Sequence, residues 1–151
     1  MTIIRPITTV KKEIRILGID ACNSEQFVGV IVRGGTFLDG VVTFRPQTRK
    51  YIGHEISRIP YFPELRGIML HDPKHRLDPD SIENDTGLPV MVVGTSSRIT
   101  SDMLLVRTHK GSLLVRTKIP TSTLNKIVDL TWSFGRLPEP LRLSHLFSMQ
   151  I

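Results

Sequence analysis

Residues 14–20, Ile-Arg-Ile-Leu-Gly-Ile-Asp, form a short apolar run between polar flanks, a pattern that predicts a strand ending on Asp20. Residues 27–33 and 37–44 are rich in β-branched and aromatic side chains and are separated only by Gly34-Gly35-Thr36, which predicts a hairpin. Three antiparallel strands therefore open the fold. From Thr48 the period becomes helical: Tyr51, Ile52, Ile56 and Ile59 share one face, and Pro60 ends the pattern. Pro60-Tyr-Phe-Pro63 reads as a helix stop with buried aromatics. Residues 65–70 are strand-like again, and a polar loop follows His71-Asp72-Pro73. A short helix is predicted over residues 79–85, with Gly87 as its C-terminal cap, and residues 88–93 then read as a buried strand.

Strand, helix, strand, short helix, strand implies parallel pairing through right-handed crossovers, so the sheet is mixed. Residues 103–107 and 113–118, joined through His109-Lys110-Gly111, predict a second hairpin at a sheet edge or as a flap. Leu124, Ile127, Val128, Leu130 and Phe134 lie at helical spacing over residues 121–134, and Pro138-Glu-Pro-Leu-Arg-Leu-Ser-His opens a last helix. The pattern describes one α/β domain over residues 11–151 behind a peripheral segment, residues 1–10. Leu17, Ile19, Val30, Val42, Leu70, Val92 and Leu146 are expected in one core.

With 151 residues at 40% hydrophobic, the chain is long enough for an independent core. No apolar run approaches the roughly 18 residues of a membrane helix, so a soluble protein without a membrane partner is expected. Lys11 and Lys12 follow rather than precede the first apolar residues, unlike a secretion signal, and the single Cys22 allows no intrachain disulfide. Both point to the cytoplasm. The formal charge of +6, with thirteen arginines among twenty basic residues, leaves two readings: a phosphate-rich partner such as DNA or RNA, or basic residues spread over solvated faces.

Particular words narrow this. Glu13-Ile-Arg-Ile-Leu-Gly-Ile-Asp20, Val28-Gly-Val-Ile-Val-Arg-Gly-Gly35, Leu38-Asp-Gly-Val-Val42, Thr86-Gly-Leu-Pro-Val-Met-Val-Val93 and Pro138-Glu-Pro-Leu-Arg142 with Ser144-His145-Leu146 stand in chain order. Together they resemble the archaeal family called domain of unknown function 99, the UPF0215-type proteins, which is similar to endonuclease V. Residues 95–120 match least. The resemblance implies a ribonuclease H-like, endonuclease V-like mixed sheet of about five strands with flanking helices, plus the extra hairpin. It also implies cleavage of nucleic acid by Mg or Mn held between carboxylates. Two hard cations bridged by acids can activate water and stabilise the leaving oxygen in phosphoryl transfer.

Carried over position by position, the resemblance makes Asp20, Asp72 and His145 the catalytic and metal residues, and Arg45 and Arg142 the contacts to phosphate. Asp20 matches the first-strand aspartate. The acid expected at the entry to the first helix is Pro46, which has no ligand atom, unless Glu55 compensates. At the fourth-strand tip Leu70-His71-Asp72 stands for Leu-Asp-Gly, displacing Asp72 by one residue, and on a strand one residue reverses side-chain direction. This pattern implies metal-dependent cleavage that is weak or absent, with nucleic-acid or protein binding as the surviving function.

Each site has a plainer reading. Asp20 would cap a turn with Asn23 and Ser24. His71, Asp72, His75, Asp78 and Asp80 would be a metal-binding group or a solvated turn and helix cap. His145 would be a buried structural histidine, and Arg142 a partner of Glu139 one turn earlier. Cys22 has no assigned histidine partner that would make it a nucleophile.

Overall fold

The computed structural model describes residues 3–22, 26–45, 50–94 and 101–150. The opening apolar runs form β1 (Arg15–Asp20), β2 (Phe27–Arg33) and β3 (Phe37–Phe44), followed by α1 (Ile52–Arg58), β4 (Gly67–His71), α2 (Pro79–Thr86) and β5 (Val90–Gly94). The second hairpin is β6 (Leu104–Arg107) with β7 (Ser112–Arg116); α3 (Thr121–Thr131) and α4 (Glu139–Ser148) follow. All seven strands share one sheet in the order β3-β2-β1-β4-β5-β7-β6. β1 pairs parallel with β4, and β4 with β5, while the outer pairings are antiparallel. The five expected strands thus continue into the hairpin, which joins the sheet through β7 instead of standing apart as a flap.

Strand alternation divides the buried residues between the two faces of this sheet. Ile16, Met69, Met91 and Val93 point to the face covered by α3 and Leu141 of α4, and beside them Val28, Val30 and Val32 meet Leu143 and Phe147 of α4. Leu17, Ile19, Ile68, Leu70 and Val90 point to the opposite face, against Ile52 and Ile56 of α1 and Ile82 of α2. The single core expected from the pattern is therefore two, with Val30 on the far side of the sheet from Leu17. Val42 and Val92 are only partly buried, and Leu146 is 46% exposed on the outer side of α4.

Local signals worked where chemistry demands one residue type. Asp78 caps α2 by accepting from the amides of Asp80 and Ser81, and Gly87 ends that helix at φ 69°, the left-handed conformation that glycine adopts freely. Beneath the helix, the buried Glu83 accepts from the Val90 amide and pairs with Lys118 at 3.0 Å. That hydrogen bond raises the Lys118 pKa above its ordinary value.

Two expectations need correction. The helix predicted to reach Phe134 ends at Thr131, because Trp132 turns its buried ring inward and donates Nε1–H to the Gly135 carbonyl at 3.1 Å. Phe134 is left 60% exposed. The N-terminal segment forms no strand or helix over residues 3–10, yet Ile7 is buried in the core on the α3 side and the Arg5 amide donates to Gly87 at 2.7 Å. Deleting residues 1–9 is therefore expected to cost about 2–4 kcal/mol of stability, within the range for losing a buried isoleucine. Unchanged thermal unfolding of the truncated chain would place the segment outside the core after all.

Candidate functional site

β1 and β4 run parallel and end together, with Asp20 directly beside His71. Partners in this register point to the same face, the one that α4 covers. Asp72, one residue on, is denied that face by strand alternation.

How α4 reaches this point depends on Gly18. A Cβ there would stand 2.4 Å from the Pro140 backbone, so glycine alone lets the first turn of α4 rest on β1. Ser144, in the second turn of the helix and fully buried, then clamps the sheet: its Oγ accepts the Asp20 amide at 2.8 Å and donates to the Val28 carbonyl at 2.6 Å. That places His145 over Asp20.

The Asp20 side chain is fully buried among hydrogen-bond partners. Oδ1 accepts the Cys22 amide at 2.9 Å and lies 3.5 Å from His145 Nδ1, while Oδ2 is 2.9 Å from His71 Nδ1. A carboxylate oxygen accepts, so in this contact His71 Nδ1 is placed to donate to Asp20. His71 Nε2 is buried and has no hydrogen-bond partner among the described residues.

Around this centre lies a groove of about 580 Å³, lined by Asp20, His71, Gly94, Leu113, Arg136, Leu137, Arg142, His145 and Leu146. Arg142 pairs with Glu139 through two hydrogen bonds, at 2.7 and 2.5 Å, which raise its pKa above the ordinary value. Among the described residues the groove thus has one buried acid at its base, two arginines and two histidines around it, and leucines between them.

The structure brings Asp20, His145 and Arg142 together and sets the other expected residues elsewhere. Asp72 holds the turn after β4, accepting from the amides of Arg76 and Leu77 at 3.0 and 2.7 Å. It lines a separate cavity of about 90 Å³ that shares His71 with the groove. Arg45 is exposed beyond the end of β3, two strands from β1, and does not line the groove. Glu55 on α1 does not line it either. Pro46, Asn23 and Ser24 lie outside the described residues. Asp78 is a helix cap, as its position after a polar loop suggested. Arg136 is a residue that sequence reasoning did not assign, and His71 was weighed only within the loop group with Asp72, His75, Asp78 and Asp80, not as a partner of Asp20. The parallel pairing of β1 with β4 was predicted, but only its register, Asp20 opposite His71, singles out the histidine.

The donor set does not fit two hard divalent cations. Among the described residues, Asp20 is the sole carboxylate lining the groove, and both imidazoles turn a nitrogen toward it rather than toward a shared ion. Among the described residues no group of three or more His, Cys, Asp or Glu is arranged to hold a metal ion.

No family model matches the chain. It is 29% identical to a UPF0215 protein of Methanosarcina barkeri over 181 aligned positions, covering 94% of this chain and 92% of that one. It is 26% identical to a UPF0215 protein of Methanopyrus kandleri, with 92% and 91% covered. An alignment of 181 positions exceeds the 151 residues here, so these relatives carry residues that this chain lacks. Among solved structures, a protein of unknown function from Archaeoglobus fulgidus is similar at TM-score 0.72 and 19% identity, covering 91% of this chain and 97% of that one. Marinitoga piezophila Argonaute in complex with 5′ OH guide RNA is similar at TM-score 0.58 and 12% identity, covering 92% of this chain but 30% of the Argonaute. The fold is the ribonuclease H-like mixed α/β sheet.

Proposed function

We propose that this chain, similar along nearly its whole length to archaeal UPF0215 proteins, binds nucleic acid in the groove over Asp20 and does not cleave it by a two-cation mechanism. The observation that carries this reading is the composition of the groove among the described residues: two arginines and two histidines around a single acid whose oxygens are already engaged. Arginines and net positive charge attract phosphates without a metal cage, through release of condensed counterions. Two-cation phosphoryl transfer needs several anionic ligands, and here His71 and His145 stand beside Asp20 where further acids would be required. The likeness to an Argonaute holding guide RNA supports a nucleic-acid role at the level of the fold alone. No helix of the described residues is long and apolar enough to cross a membrane.

The test compares the wild-type chain with Asp20→Asn and Asp72→Asn for binding and cleavage of labelled DNA and RNA, in magnesium or manganese and in chelator. Expected are binding that weakens as salt rises and no cleavage that requires metal. Asp72→Asn is expected to leave binding unchanged, because that side chain serves its own turn. Robust metal-dependent cleavage by the wild type, lost in Asp20→Asn while binding persists, would overturn the reading in favour of a nuclease. Absence of binding at low salt would overturn it altogether.

A further inference from the structure

Phe134, 60% exposed in the loop between α3 and α4, lies beside Arg142, one of the residues that line this groove. A lone exposed phenylalanine is ordinary on a protein surface. This one is held on both sides. Before it, Trp132 is buried and hydrogen-bonded to the Gly135 carbonyl, which closes the loop around Phe134. After it, Gly135 adopts φ 66° and lets the Arg142 side chain approach. The Arg142 guanidinium lies 5.8 Å from the centre of the Phe134 ring and is itself forked onto Glu139. The ring is thus backed by a fixed cation, and Arg136 and Leu137, the next residues along the loop, line the groove.

An exposed aromatic ring fixed beside Arg142, in the same loop as the groove-lining Arg136 and Leu137, is a surface that an unpaired nucleobase recognises: the base stacks and the adjoining phosphate meets the cation. A duplex offers its phosphates to such a surface but keeps its base faces covered. We infer that the groove over Asp20 is selective for single-stranded nucleic acid, and that an unpaired base stacks on Phe134 while its backbone runs past Arg136 and Arg142. The inference rests on the nucleic-acid-binding reading above and adds to it the strandedness of the ligand and the residue that senses it. Leu113, Leu137 and Leu146 supply the apolar wall against which a neighbouring base would lie.

The experiment measures binding of fluorescein-labelled oligothymidylate, oligouridylate and a blunt duplex, each about 15 nucleotides long, a length in the range of known single-strand sites. Fluorescence anisotropy is recorded across a salt series for wild type, Phe134→Ala, Phe134→Tyr and Arg136→Gln. Single strands are expected to bind more tightly than the duplex. Phe134→Ala is expected to weaken single-strand binding about tenfold with the salt dependence unchanged, and Phe134→Tyr to restore it. Arg136→Gln is expected to lower the salt slope by about 0.7, the loss of one phosphate contact on a single strand. Because Phe134 is largely exposed, Phe134→Ala is expected to unfold thermally as the wild type does. Binding of single strands that is indifferent to Phe134→Ala, or equal binding of duplex, would overturn this inference while leaving the nucleic-acid reading intact. No binding of any oligonucleotide would overturn both. The deoxythymidine and uridine arms report whether the strand is DNA or RNA, and tight binding by either one supports the proposal.

Discussion

Replacing Gly18 by valine is expected to remove about 3 kcal/mol of stability, the upper end for forcing extra carbon into a packed interior, and to open the groove in whatever population stays folded. Even the Cβ of alanine would stand 2.4 Å from the carbonyl carbon and oxygen of Pro140. Those atoms are backbone, so no side-chain rotation relieves the overlap, and α4 itself has to lift. Lifting it breaks the Ser144 bridge between the Asp20 amide and the Val28 carbonyl and leaves both groups buried without a partner, at about 1–3 kcal/mol each. It also withdraws His145 and Arg142 from Asp20. For a domain of this size each kcal/mol corresponds to roughly 2–4 °C in Tm, so Gly18→Val is expected to melt about 10 °C below the wild type. Gly18→Ala should fall between them. Wild-type unfolding by Gly18→Val would mean that α4 does not rest on β1 as described.

The second large effect is expected from Leu70→Ala, at about 2–5 kcal/mol, set against Leu146→Ala at under about 0.5 kcal/mol. The two leucines read alike in the sequence, each on the apolar side of a recognisable element. Leu70 is fully buried on a central strand between β1 and β5, among Leu17, Ile19 and Ile82, where a deleted side chain leaves a cavity that regular strands cannot collapse to fill. Leu146 is 46% exposed at the groove wall, so its truncation changes little that water does not already reach. Chemical denaturation of both variants checks the contrast. Equal losses would show that the outer side of α4 is covered by something beyond this chain.

Asp20→Asn is expected to be costly as well, for a reason of donors and acceptors. Asp20 receives hydrogens from the Cys22 amide and the His71 ring, and asparagine keeps one acceptor oxygen while its NH₂ must face the other donor. A loss of about 1–3 kcal/mol is the usual cost of one buried group left unmatched. Thermal unfolding of Asp20→Asn would show this loss even where nucleic-acid binding is retained.

The sequence alone determined the elements whose signals are local. Short apolar runs and β-branched composition marked the strands, Pro60 and Pro79 bounded the helices around β4, and Asp78 and Gly87 capped α2 by chemistry that few other residues supply. The resemblance carried by Glu13 to Asp20 and the words after it pointed to the ribonuclease H-like fold and to Asp20. Only the tertiary structure decided what surrounds that aspartate. A one-residue difference in register exchanges His71 for Asp72 on the working face, and register belongs to the pairing of two strands rather than to either one. The same holds for the end of α3: Phe134 fits the helical spacing, but Trp132 wins more by burying its ring and reaching the Gly135 carbonyl than by extending the helix. Burial of Ile7 and exposure of Leu146 depend on what packs beside them, which apolarity along a chain does not encode. The site is a meeting of β1, β4, the loop after α3 and α4, elements up to 125 residues apart in sequence, and their convergence is a property of the packed sheet and helix together.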